Sequence, residues 1–328
     1  FKVLIPMCAL NVEKGMRLCM KKRKIKSKII IIIMLLFLVT GCTTTLVNKD
    51  NEPVKNPETG QSLTENILCQ PENEQTRKLY EKNGVKLKDL PKCSEFTPGS
   101  TEYDGLWTGI FVKPLAFLIL TLGKYIGSFA LSIIIITIII RLILFPFTRK
   151  MAVQSEMMKK ASPELARIQK KYEGKTDQDS MLKQNQEMMM VYKKYNFNPL
   201  TSCLISFIQL PLLLAFLEAI NRVPAIFEEN FLGIQLGTTP LVGFGSSTFY
   251  MYIVLIVIIG ASTILMFKTT NNSASDPSMK MMPIMMSVII IITAFFMPAA
   301  LGIYWSVGNI FAIVQNIVVM RGMEKHGK

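Results

Sequence analysis

The sequence predicts an all-α membrane protein with five transmembrane helices, a cytoplasmic helical hairpin after the first, and an N-terminal interfacial helix before it. Three observations predict this. Half of the 328 residues (50%) are hydrophobic and mean hydropathy is +0.35, a balance that soluble domains seldom combine with long uncharged runs. The hydrophilic residues are gathered into blocks between those runs. The formal charge of +14 is shared unevenly among the blocks, as the cytoplasmic bias of Lys and Arg requires. That charge is not a nucleic-acid signal, because no basic stripe is interleaved with stacking aromatics, so no direct nucleic-acid partner is expected.

Residues 1–41 read as a signal peptide. Basic residues crowd 21–28, and residues 29–39 form an apolar stretch too short to span a bilayer. It ends in Leu38-Val39-Thr40-Gly41-Cys42, which resembles a bacterial lipobox, so Cys42 is expected to carry lipid and to begin the mature chain. Initiation at Met7, Met16 or Met20 remains open, and residues before Met16 or Met20 can be a non-native extension.

Residues 42–104 read as a lipidated extracellular tether. They are rich in Asn, Glu, Lys and Pro, hold too few apolar residues for a core, and are expected to be mostly disordered apart from one short helix near 71–83. Cys69 and Cys93 lie here. An extracellular setting permits a disulfide closing a loop of about 24 residues, worth roughly 3 kcal/mol, but two free thiols are equally compatible.

Residues 105–147 hold the interfacial helix and the first span. Lys113-Pro114 and Gly123-Lys124 interrupt the apolar run, so 106–122 are expected to lie in the interface with Trp107 as anchor, and 125–147 to cross. Two crossings here would place the next block outside, which its charge forbids. That block, 148–198, has 11 Lys and Arg against 6 Asp and Glu. Met151, Met158, Leu165 and Tyr172 recur every seven residues with Ala161 and Ile168 between them. A second stripe, Met181, Met188, Tyr192 and Tyr195, follows Gly174, and two amphipathic stretches about one turn predict an antiparallel hairpin.

Residues 199–320 carry four more spans, near 199–221, 248–267, 281–297 and 301–320, and 321–328 form a cytoplasmic tail. Linker 222–247 has one Arg and two Glu, suited to the outside; linker 268–280 and the tail are basic, suited to the inside.

Covalent catalysis is not expected. Gly174-Lys175-Thr176 lacks the earlier glycine of a phosphate loop, Gln169 standing there, and His326 is the one histidine. There is no Cys-x-x-Cys and no paired intramembrane carboxylate, so neither cofactor nor metal is expected. The polar residues inside the spans are the informative ones. Arg141 stands in an unbroken apolar run, at a cost of roughly 2.5–3.5 kcal/mol on insertion scales unless it meets water or protein. It either snorkels to the boundary marked by Arg149 and Lys150 or lines a hydrated site. Gln209 precedes Pro211, and Trp305, Asn309 and Asn316 fall near one helical face with Ser306 and Gln315 beside them. Singly these are more often interhelical hydrogen bonds; together with Arg141 they are candidates to line a wet cavity. Glu218 and Arg222 form a local pair. The many methionines near the cytoplasmic side are either helix packing or a pliable surface for varied apolar segments.

Several ordered motifs then point one way. Arg141-Leu142-Ile143-Leu144-Phe145-Pro146 before a basic hairpin, Asn198-Pro199-Leu200 leading to Gln209-Leu210-Pro211, and Pro298 with Leu301-Gly302-Ile303-Tyr304-Trp305-Ser306-Val307-Gly308-Asn309 and Gln315 resemble the YidC family of membrane protein insertases over residues 105–321. The lipobox resembles its Gram-positive lipoprotein type. The resemblance implies a YidC-like bundle in the bacterial plasma membrane, lipid-anchored at its outer face. It also implies a groove open to cytoplasm and lipid and closed outside, lined by Arg141, Gln209 and Trp305, with Asn309 and Gln315 as further candidates. Nascent membrane proteins and the phospholipid bilayer are the implied partners; the Sec translocon and the ribosome are left open, the short tail arguing against ribosome docking through it. The rival readings are a small-solute transporter or channel, and a lipoprotein scaffold.

Overall fold

The computed structural model describes residues 43–57, 59–175, 177–196, 199–271 and 277–326; side chains are described for these except 199–208, 270–283 and 324–326. The signal peptide and Cys42 lie outside the described residues. The helices are α1 (Glu74–Lys82), α2 (Gly105–Ile126), α3 (Phe129–Lys171), α4 (Gln178–Lys194), α5 (Pro199–Arg222), α6 (Phe249–Asn271), α7 (Pro277–Ala294) and α8 (Ala299–His326). Among the described residues, α2, α3, α6 and α8 are long and apolar enough to cross a bilayer by length and composition, and α7 has a shorter apolar stretch, Ile284–Ala294.

Residues 43–104 are not the disordered tether that their composition predicts. Leu46, Val54, Leu63, Ile67, Tyr80 and Leu87 pack around Phe227 of the later chain. Short antiparallel bridges join Thr45 to Thr64 and Lys55 to Ser62. Asn73 caps α1 by accepting from the backbone of Gln75 and Thr76, and Cys69 and Cys93 are joined by a disulfide. The composition misled because a small apolar set, too few for an independent core, is completed by Phe227 and the cross-link.

The unit is tied to the helical bundle at one point above all. Leu68 N donates to the Arg222 carbonyl at 2.8 Å, and Arg222 Nε returns a bond to the Asn66 carbonyl at 2.7 Å. The same guanidinium pairs with Asp104, bonds Thr108 Oγ1 at 3.3 Å and lies 3.6 Å from Glu218, whose other oxygen accepts Trp107 Nε1 at 2.8 Å. The i, i+4 pair expected from the sequence is thus the centre of a buried network.

Neither Lys113-Pro114 nor Gly123-Lys124 breaks α2. A π turn at Thr108–Val112 absorbs the irregularity, and Lys113 Nζ satisfies itself on the carbonyls of Thr101 and Glu102 at 3.2 and 2.7 Å. The helix ends instead at Gly127, which is left-handed at φ 81° and closes the last turn onto the Gly123 carbonyl. Gly123 leaves room for the Phe129 ring as the chain turns back. The Glu229 carboxylate accepts from Ser128 Oγ and from the amides of Phe129 and Ala130 at 2.7, 2.6 and 3.1 Å, placing a negative charge at the N-terminus of α3.

From there α3 runs 43 residues without a break, through Pro146 and Pro163, so span and first hairpin arm are one rod of roughly 65 Å. A turn returns the chain into α4, and Met158, Ala161, Leu165 and Ile168 meet Met188, Val191, Tyr192 and Tyr195. Lys171–Glu187 and Lys194–Glu164 pairs flank this seam. They are exposed, and their contribution is small. Met181, expected in the seam, is exposed, and Val191 takes the inward place. Lys159 Nζ reaches the Thr269 carbonyl at 2.9 Å, resting the hairpin on the C-terminal turn of α6, where a cation is favoured.

Candidate functional site

The site lies where α3, α5 and α8 meet. The helices α3 and α8 pack side by side with a constant offset of 167 residues: Thr148 Oγ1 donates to Gln315 Oε1 at 2.9 Å, and seven residues earlier on each helix Arg141 faces Gly308. A Cβ built on Gly308 would lie 2.5 Å from Arg141 Nη2 and 3.3 Å from its Cζ. The missing side chain is what allows the guanidinium to lie against the α8 backbone. Arg141 therefore reaches sideways, level with Gly308, rather than along its own helix toward Arg149. Its Nε is buried and, among the described residues, has no hydrogen-bond partner.

One turn before Gly308, Tyr304 is fully buried, stacks on Phe216 with ring centroids 4.2 Å apart, and accepts a bond from Gln209 Nε2 at 2.9 Å. Toward the α2–α3 turn the packing becomes mainly apolar: Ile133, Ile136, Phe216, Ile220, Ala300 and Leu301 belong to one buried cluster, and the buried Ser132 and Thr137 hydroxyls donate to the Ile119 and Ile133 carbonyls. The interior thus passes from the polar groups around Arg141 to a mainly apolar, closely packed region toward the α2–α3 turn.

The five expected groove residues do not stay together. With about 100° per residue, Tyr304, Gly308 and Gln315 fall within roughly 40° of one another on α8, whereas Trp305 and Asn309 lie about 80–120° from the centre of that face. The first face meets α3 and α5; the second meets α6. Asn309 Nδ2 donates to Thr263 Oγ1 at 2.9 Å and to Ser262 Oγ at 3.3 Å, an interhelical clamp rather than a groove contact. Trp305 packs with Leu255, Ile259 and Ile290 and borders a cavity of about 180 Å³ between α6, α7 and α8, which Leu213 of α5 also lines. Spacing i, i+4 correctly placed these two on one face but not on Arg141's. Gln315 shares the Arg141 face, yet it is buried and engaged by Thr148.

Tyr304 and Gly308 are the residues that sequence reasoning passed over as site members. The usable signal was their heptad relation to Gln315, with Tyr304 at i−11 and Gly308 at i−7. The Asn198 motif and Cys203 fall where no side chain is described. Of the methionines, Met158 and Met188 are hairpin packing, while Met189, Met190 and Met285 are exposed.

The sequence profile of the 60Kd inner membrane protein family matches residues 121–326. The chain is 36% identical over 236 residues to the membrane protein insertase YidC of Oceanobacillus iheyensis, covering 71% of this chain and 92% of that one. It is 37% identical over 232 residues to YidC 2 of Bacillus anthracis (69% and 86%), and 35% over 238 residues to the insertase MisCA of Bacillus subtilis (70% and 85%). A crystal structure of an active YidC insertase with its first transmembrane domain resolved aligns with a TM-score of 0.49 at 21% identity, over 75% of this chain and 50% of that one. The present chain thus spans half the length of that structure's chain.

Proposed function

The chain belongs to the YidC family of membrane protein insertases, and from that membership we propose that it inserts and helps to fold nascent membrane proteins through the Arg141 site. It is a multi-pass membrane protein of mostly helical fold. The observation that carries the mechanism is the guanidinium held against Gly308 within the bundle, below an apolar outer seal. A positive charge there offers a transient partner to acidic residues of a short translocated segment. The polar surroundings shorten the apolar path that segment crosses, while the client's apolar helix partitions into lipid. Transfer of that helix, at about 25 cal/mol per Å² of apolar surface, and the membrane potential supply the driving force without a nucleotide. Arg141, Gln209 and Gln315 are the groove residues in this reading. Trp305 and Asn309 act one layer behind, holding α8 to α6.

Five spans, with α2 lying at the outer surface, is the topology we favour. Both ends of α2 are tied to the same outer segment, through Trp107 to Glu218 at one end and through the Ser128 turn to Glu229 at the other. Lipidation of Cys42 at the outer face follows from the lipobox, and an intact-mass measurement showing an N-terminus upstream of Cys42 would exclude it. The Sec translocon and the ribosome remain partners to be tested by co-purification. A solute carrier would place broken helices at the midplane, whereas α3, α6 and α8 run continuously.

The test is insertion of a purified single-span client into proteoliposomes containing only this protein. Protease protection of the client's translocated tail should rise well above that of protein-free liposomes. Equal protection in both removes the insertase reading.

A further inference from the structure

A second cavity lies at the outer end of the molecule, between the folded unit 43–104 and the segment 228–252. Its volume, about 560 Å³, falls in the roughly 300–1,000 Å³ range of ligand sites. Amides and hydroxyls line it, among them Asn56, Asn230, Gln235, Ser246 and Thr248, and among the described residues Glu228 is the one charged side chain in the lining. Glu228 Oε2 accepts from the Asn73 amide at 3.3 Å, but Oε1 is buried and has no hydrogen-bond partner among the described residues. The Thr76 hydroxyl and the Asn73 and Glu72 amides favour the ionised carboxylate, and the Glu72 charge opposes it more weakly. Burial pushes the Glu228 carboxyl above the usual carboxylate range, which a cation placed beside it would relieve.

We propose that this cavity binds the free α-ammonium end of a short extended peptide, with Glu228 as the counter-charge and the lining amides and hydroxyls meeting the peptide backbone. The chemistry discriminates among ligands. An anion has no cation to meet. A divalent metal would find one carboxylate, and no cluster of three acidic or sulfur or imidazole ligands occurs among the described residues. Gly245 leaves its part of the wall open to a backbone, whereas the space beside Gly60 and Gly243 is filled by Val242 and Tyr252. Resting on the insertase reading above, the natural ligand is the N-terminal amine of a client tail after it has crossed: Arg141 draws the segment in by its acidic groups, and Glu228 holds its amine outside.

The test uses the full chain in lipid nanodiscs, titrated calorimetrically with triglycine, N-acetyl-triglycine and the neutral disaccharide chitobiose. Triglycine should bind, and acetylation of its amine or Glu228→Gln should each weaken binding at least tenfold. Gly245→Trp guards against a folding artefact, since a Cβ there meets only the Val242 carbonyl at 3.6 Å and the substitution leaves Glu228 itself in place; it should abolish binding. No triglycine binding up to its solubility limit, equal binding of the acetylated peptide, or binding of chitobiose alone overturns the proposal. These titrations need no insertion, so they stand or fall apart from the insertase assay. The client assignment has its own arm: Gly245→Cys should crosslink to the first residue of a translocated tail, and a failure to do so while triglycine binds removes the client as the ligand.

Discussion

Replacing Gly308 with alanine perturbs the groove without touching its charge. The new Cβ would stand 2.5 Å from Arg141 Nη2, where ordinary contact begins near 3.4 Å, so the guanidinium must retreat by about 1 Å. Alanine in a helix interior is favoured over glycine by up to about 1 kcal/mol, so the fold should not suffer. The attraction between Arg141 and a client carboxylate should suffer. At an effective dielectric of about 20 it falls from about 4.1 kcal/mol at 4 Å to about 3.3 kcal/mol at 5 Å, a loss of about 0.8 kcal/mol. That corresponds to roughly a fourfold reduction in insertion of a client with one acidic residue in its translocated segment. The assay is protease protection in proteoliposomes with insertase amounts matched, comparing that client with its Asn or Gln counterpart. Gly308→Leu should give a larger loss on the acidic client. A Gly308→Ala protein that loses activity equally on both clients would refute the placement, because the change would then act through packing and not through the charge.

Removing the Cys69–Cys93 disulfide by a double serine substitution should lower the stability of the outer unit by roughly 3 kcal/mol, seen as earlier protease cleavage within 43–104; unchanged cleavage would mean that the Phe227-centred core holds the unit unaided. Arg222→Met strands the buried Glu218 carboxylate and should cost about 3–5 kcal/mol, read from thermal unfolding in detergent, while Arg222→Met with Glu218→Met should recover much of it. In a background without native cysteines, Ser246→Cys should react with an impermeant thiol reagent in intact cells and Ser180→Cys should react only after lysis; the opposite pattern reverses the orientation.

The long helices and the pairing of α3 with α4 were legible because their signals are periodic and local. Apolar runs and basic blocks located α3, α5, α6, α7 and α8, and a seven-residue stripe located most of the seam that joins α3 to α4. Two kinds of feature were not legible. The order in residues 43–104 depends on Phe227, more than 120 positions away, and no local pattern announces such a partner. The division of the α8 polar residues depends on which neighbour each face meets. Trp305 and Asn309 were rightly paired with each other, but sequence spacing cannot say that their face belongs to α6 and that of Tyr304 and Gly308 to α3 and α5. Gly308 itself was quoted only as part of a motif, since a glycine shows its purpose only once the atom occupying its vacant Cβ position is known.

The central claim is that Arg141 acts on clients as a charge inside the bundle. Its most direct test is insertion of matched acidic and neutral clients by Arg141→Ala and Arg141→Lys proteins, each normalised to insertase level. Arg141→Ala should fail on the acidic client and largely spare the neutral one. Arg141→Lys, which keeps the charge without the planar fork, should retain much of the acidic-client activity. Equal losses on both clients, or none on either, would contradict the claim and leave Arg141 as a structural residue.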